Sequence, residues 1–281
     1  MTRLTSGDLS GLAGSLDLYD QQLKNITGRS LLQLSCAAAG VPESEFIAVA
    51  EKSPVAAIPI TAGKGIISGF SLTIQAIARQ IGLPAFVTGS TDASGIRDAV
   101  SAGACIVIMA DDESYFALNL NTKFIAENSA ATAAGFATAL QHMSGGLQGR
   151  TVLVIGCGEV GGHAAGKAAS FGASPAIYDM NEQRSSRLAF KIKEKDRIAV
   201  NIERHLDDAL AKYHLVVDAS PGSDFIGVEH IKENTIIVAP GVPQGVNPEA
   251  RALLKNRYLH DPLQIGTAVM LVSAIFSKRI V

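Results

Sequence analysis

Gly156, Gly158 and Gly161 stand in the run Gly156-Cys157-Gly158-Glu159-Val160-Gly161, and an acid, Asp179, lies 18 residues beyond Gly161. This is the spacing that holds a dinucleotide. Gly156 supplies a tight turn, Gly158 lets backbone approach a pyrophosphate, and Gly161 lets a helix pack close to a strand. The first helical residues, Glu159 and Val160, bring unpaired N–H groups and a partial positive charge toward phosphate oxygens. Asp179 sits where a carboxylate binds the adenosine ribose hydroxyls, and it would repel a 2′-phosphate, which favours NAD over NADP. A bare βαβ unit with a glycine turn is the competing reading.

A second set of polar residues falls at the ends of apolar runs: Asp111-Asp112-Glu113, Asn128 and Asp261. The adjacent acids at 111–113 suit a cation, or a helix N-cap with acids in its first turn. Asn128 precedes an apolar helical run and reads as an N-cap. Ser220-Pro221 and Pro240-Gly241 follow two further apolar runs. They read either as ordinary turns or as backbone that a flat ring such as nicotinamide can lie against. No Ser/His/Asp or Cys/His arrangement is present, and no metal-ligand spacing. His163, His205 and His214 read as solvated, while His260 falls at a strand end.

The positioning elements follow from periodicity. Thr151–Ile155 is a short β-branched run that reads as a buried strand, followed by a small-residue helix and a strand at 176–178. Upstream, strands at 55–60, 85–88 and 105–110 alternate with helices at 70–82 and 95–103, which implies a parallel sheet with right-handed crossovers. Pro59 requires an edge or a strand end. Gly63-Lys64-Gly65 lacks the closing Gly-Lys-Ser/Thr of a phosphate loop and reads as a βα turn. Residues 1–40 read as helical. Thr5 and Asp8 have capping spacing, and Leu9, Leu12, Leu16, Tyr19, Leu23 and Ile26 share one face. Downstream, helices are expected at 181–194, 205–213 and 267–277, and strands at 197–200, 215–219, 235–239 and 258–259. Asn119-Leu120-Asn121-Thr122 reads as a turn and 144–149 as a linker.

The fold class expected is α/β: N-terminal helices and a small α/β domain, then a Rossmann-like doubly wound parallel sheet domain. The boundaries are 1–145 for the substrate side, 146–265 for the nucleotide side, and 266–281 for a C-terminal helix packing back on the first domain.

Charges nearly cancel, 24 basic against 26 acidic residues, and no basic stripe exists, so nucleic acid is not an expected partner. The three cysteines, Cys36, Cys105 and Cys157, are scattered, which suits a reducing cytosol. No uncharged apolar run reaches membrane-spanning length, so a soluble cytoplasmic protein is expected. The assembly compatible with the sequence is a homodimer.

A domain lacking the nucleotide fingerprint joined to one that has it suggests a cleft dehydrogenase. The strand-end polar groups are mostly acidic, with Lys64 the main cation among them, which points to a cationic, amine-bearing substrate. A protonated amine, pKa about 10, has no lone pair to drive hydride loss, so the site must remove a proton, through an acid or water near Asp111 or Asp261.

The runs Ile58-Pro59-Ile60-Thr61, Gly65-Ile66-Ile67, Asp92-Ala93-Ser94-Gly95, Ile108-Met109-Ala110-Asp111-Asp112, Asn119-Leu120 and Asp261-Pro262-Leu263-Gln264-Ile265-Gly266-Thr267-Ala268 resemble the dehydrogenase family that completes pyrrolysine biosynthesis. The likeness runs from about residue 5 to 275. It implies a substrate, lysine carrying 3-methyl-D-ornithine in isopeptide linkage through its ε-nitrogen. It also implies hydride transfer from the terminal amine carbon to NAD, loss of ammonia, and closure of the pyrroline ring. It carries substrate contacts onto Leu4, Ala62, Asp111, Asn128 and Asp261, with Asp111 and Asp261 in the catalytic role, and NAD ribose binding onto Asp179. The N-terminal helix of the family moves with ligand state. Two positions depart from the pattern: Ala62 stands where serine is common, and Asp261 where glutamate is common. The alternatives are a shikimate-type or opine-type oxidoreductase, which would need basic residues in the cleft, and a non-enzymatic NAD-sensing module.

Overall fold

A computed structural model describes residues 4–277 of the chain. Four helices come first: α1 Ser6–Leu9, α2 Leu16–Thr27, α3 Leu31–Ala39 and α4 Glu43–Ala50. Then follow β1 Val55–Ala57, α5 Phe70–Gln80, β2 Ala85–Val87, α6 Asp92–Ser101, β3 Ile106–Ala110, β4 Tyr115–Asn119, β5 Ile125–Glu127 and α7 Asn128–Met143. The remainder is β6 Thr151–Ile155, α8 Glu159–Ser170, β7 Ser174–Tyr178, α9 Glu182–Asp196, β8 Asn201–Ile202, α10 Leu206–Lys212, β9 Leu215–Asp218, β10 Ile236–Ala239, α11 Pro248–Leu254, β11 Tyr258–His260 and α12 Gln264–Phe276.

The chain divides into two compact units. The first comprises the residues up to Lys24, Arg29–Thr132 and the described residues from Leu263 on; the second comprises Asn25–Gly28 and Ala133–Pro262. The first unit holds a five-stranded sheet of order β2-β1-β3-β4-β5. β1 pairs in parallel with β2 and β3, as alternating strands and helices require. β4 and β5 are antiparallel additions beyond the expected parallel strands. Tyr115–Asn119 does alternate in burial, with Tyr115, Ala117 and Asn119 inward, but the Asn119–Thr122 turn masks it. Asn119 Oδ1 accepts the N–H groups of Asn121 and Thr122 and so forms that turn. β1 stops at Ala57, so Pro59 falls past the end of an interior strand, where its missing N–H costs no ladder bond.

The expected continuous N-terminal face is broken. α1 carries the Thr5–Asp8 capping box, but Gly11 at φ 78° and a single 3₁₀ turn intervene before α2. Leu9, Leu16 and Leu23 are nevertheless buried. α6 begins at Asp92, three residues before the expected start, which places Gly95 inside it. A Cβ there would lie 2.6 Å from Ile58 Cγ2 and 2.7 Å from the Ser90 carbonyl oxygen, so the glycine sets how closely α6 meets the sheet. α12 is buried almost all round and packs on α3, α5 and β4. Its Thr267 hydroxyl meets the buried Tyr115 hydroxyl at 2.7 Å, which satisfies both polar groups inside an apolar core.

The second unit holds a six-stranded, all-parallel sheet of order β11-β10-β9-β6-β7-β8. The strand expected at 197–200 lies instead at Asn201–Ile202, because Arg197, at φ 56°, caps α9 in a left-handed turn. The core gathers Leu153, Ile155, Val216, Ile226, Ile237, Val246 and Leu254, all essentially without solvent contact. No helix among the described residues is long and apolar enough to cross a membrane.

Candidate active site

In the second unit three strand-end turns meet. Strand order places β6 beside β9 and β9 beside β10, so the turns after them are neighbours. Gly156 adopts φ 92°, and a Cβ on it would lie 2.8 Å from the Ala219 carbonyl oxygen and 2.9 Å from the Ser220 nitrogen. A Cβ on Gly241 would lie 2.2 Å from the Ser220 carbonyl oxygen. Gly156, Ser220 and Gly241 are thus brought together by bare backbone. Pro221 is exposed and Pro240 half-buried beside them.

The fingerprint glycines differ in what surrounds them. Gly161 packs under the turn: a Cβ on it would lie 1.8 Å from the Gly156 carbonyl oxygen. Gly158, the N-cap of α8, is exposed and has no heavy atom within 4 Å of the place its Cβ would take. Nothing inside the described protein demands glycine at 158. The open space lies at a helix N-terminus, where amides favour phosphate oxygens. Glu159 is exposed and Val160 half-buried in the first turn of α8.

Asp179 follows β7. Its Oδ2 accepts the Cys157 N–H at 2.8 Å and its Oδ1 accepts the Asn181 N–H at 2.9 Å. A carboxylate offers about four lone-pair sites, so each oxygen keeps acceptor capacity for a ribose hydroxyl. The glycine cradle, the helix terminus and this acid together fit a dinucleotide. Cys157 shares the turn, but burial pushes its thiol up to about 11, with Ser185 hydrogen bonding opposing the shift, so it stays a thiol near neutrality.

Asp218, the last residue of β9, is an acid outside the expected site residues. It is 0% exposed. Its Oδ1 accepts from the Ser220 N–H at 3.1 Å and the Ser220 hydroxyl at 2.7 Å. Its Oδ2 lies against the Gly245 backbone without a well-formed hydrogen bond. Burial pushes its carboxyl up to about 6, against the opposing Ser220 bonds. The available signal was an acid closing an apolar strand just before Ser-Pro-Gly, the same position in its strand unit that Asp179 holds after β7. Asp261, after β11, is buried at 3% exposure, and the His260 ring meets the Ala239 carbonyl oxygen at 2.8 Å. His163 and His205 are exposed as expected. His214 is half-buried, contrary to expectation, because it leads directly into the interior strand β9.

In the first unit the acids at 111–113 cap no helix. They form the β3–β4 hairpin turn: Asp111 Oδ1 accepts the N–H groups of Glu113 and Ser114 at 2.8 and 2.7 Å. Asp111 is exposed, and its Oδ2 makes no hydrogen bond among the described residues. Asp112 turns the other way, and its Oδ2 accepts the Lys64 N–H at 2.7 Å. The two adjacent carboxylates therefore face different partners. Ala62 is exposed in the loop between β1 and α5, and Leu4 is half-buried just before the α1 cap. Asn128 is the first residue of α7 rather than its cap. Its Oδ1 accepts from the Thr132 hydroxyl at 3.1 Å, and a Cβ on Gly266 would lie 3.0 Å from that oxygen. Among the described residues no group of three or more His, Cys, Asp or Glu side chains has metal-binding geometry.

A family model described as pyrrolysine biosynthesis protein PylD, N-terminal domain, matches residues 8–126. One described as alanine dehydrogenase/PNT, C-terminal domain, matches 124–250. Pyrrolysine synthase of Methanosarcina barkeri (strain Fusaro / DSM 804) is 28% identical over 276 residues, covering 98% of this chain and 98% of that protein. Pyrrolysine synthase of Methanosarcina acetivorans is 29% identical over 276 residues, covering 98% of this chain and 100% of that one. Among solved structures, quinate dehydrogenase from Corynebacterium glutamicum in complex with NAD superposes with a TM-score of 0.53 at 17% identity, covering 79% of this chain and 92% of that one. Shikimate dehydrogenase from Aquifex aeolicus does so at 0.53 and 13% identity, covering 82% and 94%. These two likenesses establish a shared fold.

Proposed function

We propose that the chain, similar over nearly its whole length to two pyrrolysine synthases and over 8–126 to the PylD N-terminal domain, is the NAD-dependent oxidoreductase that oxidises the terminal amine carbon of L-lysine-Nε-3-methyl-D-ornithine, with loss of ammonia and ring closure to pyrrolysine. The observation that carries the cofactor assignment is the exposed, sterically open Gly158 at the N-terminus of α8, with Asp179 fastened to the adjoining turn. Gly156, Gly158 and the first amides of α8 hold the pyrophosphate. Asp179 receives the ribose hydroxyls, and its charge disfavours a 2′-phosphate. Bound NAD supplies the hydride acceptor.

The remaining work falls to the chain's own side chains. An ammonium group must be held and then relieved of a proton before its carbon can lose hydride. In this reading Asp111 Oδ2 binds the amine as a charge-assisted acceptor, while Oδ1 stays committed to the hairpin amides and fixes the carboxylate plane. Asn128 and Ala62 contribute further contacts, Leu4 an apolar one, and Asp261 the second acid. Loss of ammonia and attack by the ornithine α-amine then close the ring. The protein is expected to act in the cytoplasm.

The test is incubation with the isopeptide and either NAD or NADP, following absorbance of the reduced cofactor and the product mass. NAD-linked turnover with a mass lower by ammonia and two hydrogens supports the reading. Tight NAD binding without turnover of the isopeptide would exclude it and favour a sensing module. Turnover of quinate or shikimate instead would move the protein to the hydroxy-acid dehydrogenases.

A further inference from the structure

The loop between β1 and α5 is anchored from both sides by carboxylates on neighbouring strand ends. β1 lies between β2 and β3 in the sheet, so the loops that follow β2 and β3 flank the loop that follows β1. From the β2 side comes Asp92. Its Oδ1 accepts the Thr61 N–H at 2.8 Å and its Oδ2 accepts the Thr61 hydroxyl at 2.6 Å. From the β3 side comes Asp112, whose Oδ2 accepts the Lys64 N–H at 2.7 Å. Ala62 and Gly63 lie between the two anchor points.

Two features show that these contacts are built in. Asp92 adopts φ 53°, a left-handed conformation that non-glycine residues enter at a cost and that Asp and Asn tolerate best. Gly63, at φ 66°, leaves room for the Asp112 carboxylate: a Cβ there would lie 2.2 Å from Asp112 Oδ2. The Thr61 hydroxyl, then its amide, hold the Asp92 carboxyl below the usual carboxylate range, so the anchor stays charged across the neutral range.

We propose that Asp92 and Asp112 are positioning residues that hold the Thr61–Lys64 backbone in a single shape for substrate, and that they are not themselves amine ligands. The proposal rests on the function proposed above in taking that loop as a substrate contact. It also gives Ala62 a role the missing serine hydroxyl does not remove: with both flanks fixed, the backbone of 62 and 63 carries the recognition.

The test compares Asp92→Ala, Asp92→Asn and Asp112→Ala with the parent chain. Three readouts are taken: KM and kcat for the isopeptide, Kd for NAD, and the rate of tryptic cleavage after Lys64, with folding checked by circular dichroism. Each alanine variant should raise KM by about tenfold or more, the equivalent of one lost charge-assisted hydrogen bond, and leave the NAD Kd unchanged. Cleavage after Lys64 should accelerate in both. Asp92→Asn should stay close to the parent, because asparagine tolerates the left-handed backbone and keeps an acceptor for the Thr61 amide. Unaltered cleavage in both folded alanine variants would overturn the clamp. Accelerated cleavage with unchanged KM would overturn its role in substrate binding. A parent chain that turns over no isopeptide would count against the proposed function alone, since cleavage still judges the clamp.

Discussion

Asp179 Oδ2 accepts the backbone N–H of Cys157 at 2.8 Å, so the acid that ends β7 is fastened to the glycine turn that ends β6. One carboxylate thus both shapes the glycine turn and presents a charge beside it. Removing the side chain and removing only its charge should therefore have separable effects.

Asp179→Ala should weaken NAD binding by about 10- to 100-fold, the range for losing hydrogen bonds to a charged group, and should relax discrimination against NADP. Asp179→Asn keeps an acceptor for Cys157, so it should lose discrimination while retaining more of the NAD affinity. Titration calorimetry with both cofactors measures this. An unchanged NAD/NADP ratio in both variants removes the ribose assignment.

The two glycines of the turn should fail differently. Gly161→Ala drives a methyl into the Gly156 carbonyl, so the helix must shift, at a cost of about 1–3 kcal/mol in stability. Gly158→Ala meets nothing in the protein and should stay within about 1 kcal/mol of the parent. It should nevertheless bind NAD more weakly, because the added methyl enters the space where the proposed site takes the pyrophosphate. Denaturant unfolding alongside NAD titration checks both, and equal loss of stability in the two variants would contradict the contrast.

Asp111→Asn should lower isopeptide turnover by about 100-fold or more while leaving NAD affinity intact, since a general base or its anchor contributes at that scale. The amide retains an oxygen for the Glu113 and Ser114 amides, so the hairpin should survive. Equal loss of NAD affinity and turnover would place Asp111 in the fold alone.

Asp218 makes stability depend on pH. A carboxyl whose pKa rises on folding, here from the ordinary 3.8 to about 6, takes up a proton as the chain folds between those values. Stability therefore falls as pH rises through that window, and the full cost of the buried charge is present above it. The shift corresponds to about 3 kcal/mol as an order of magnitude. Asp218→Asn keeps an acceptor for Ser220 and removes the charge, so it should raise the melting temperature above about pH 7 and leave it little changed near pH 4. A melting-temperature series across that range measures it. An Asn variant less stable than the parent at every pH would show that the Ser220 bonds need the carboxylate.

Local order decided what the chain reveals without coordinates. The 156–161 glycines, the strand before them and Asp179 after them form one contiguous βαβ unit. Sequence-neighbour chemistry and hydrophobic period therefore suffice to read it. The alternation of β1, α5, β2, α6 and β3, and the Thr5–Asp8 cap, are legible for the same reason. What required tertiary structure depends on residues far apart in the chain. The acids at 111–113 have the same composition whether they cap a helix, bind a cation or turn a hairpin. Only the pairing of β3 with β4 selects the hairpin, and only the approach of the β1 loop turns Asp112 toward Lys64. Asp92 lies before the expected start of its helix and shows no partner in sequence until Thr61, 31 residues away, is seen against it. Asp218 closes an apolar run, which by itself says nothing of its solvation. Its burial among β6, β10 and the Gly245 backbone, which sets its proton affinity, is a property of the assembled sheet. Short-range pattern specifies elements and turn chemistry, whereas the partner and the solvation of each charged group are set by which strand ends become neighbours.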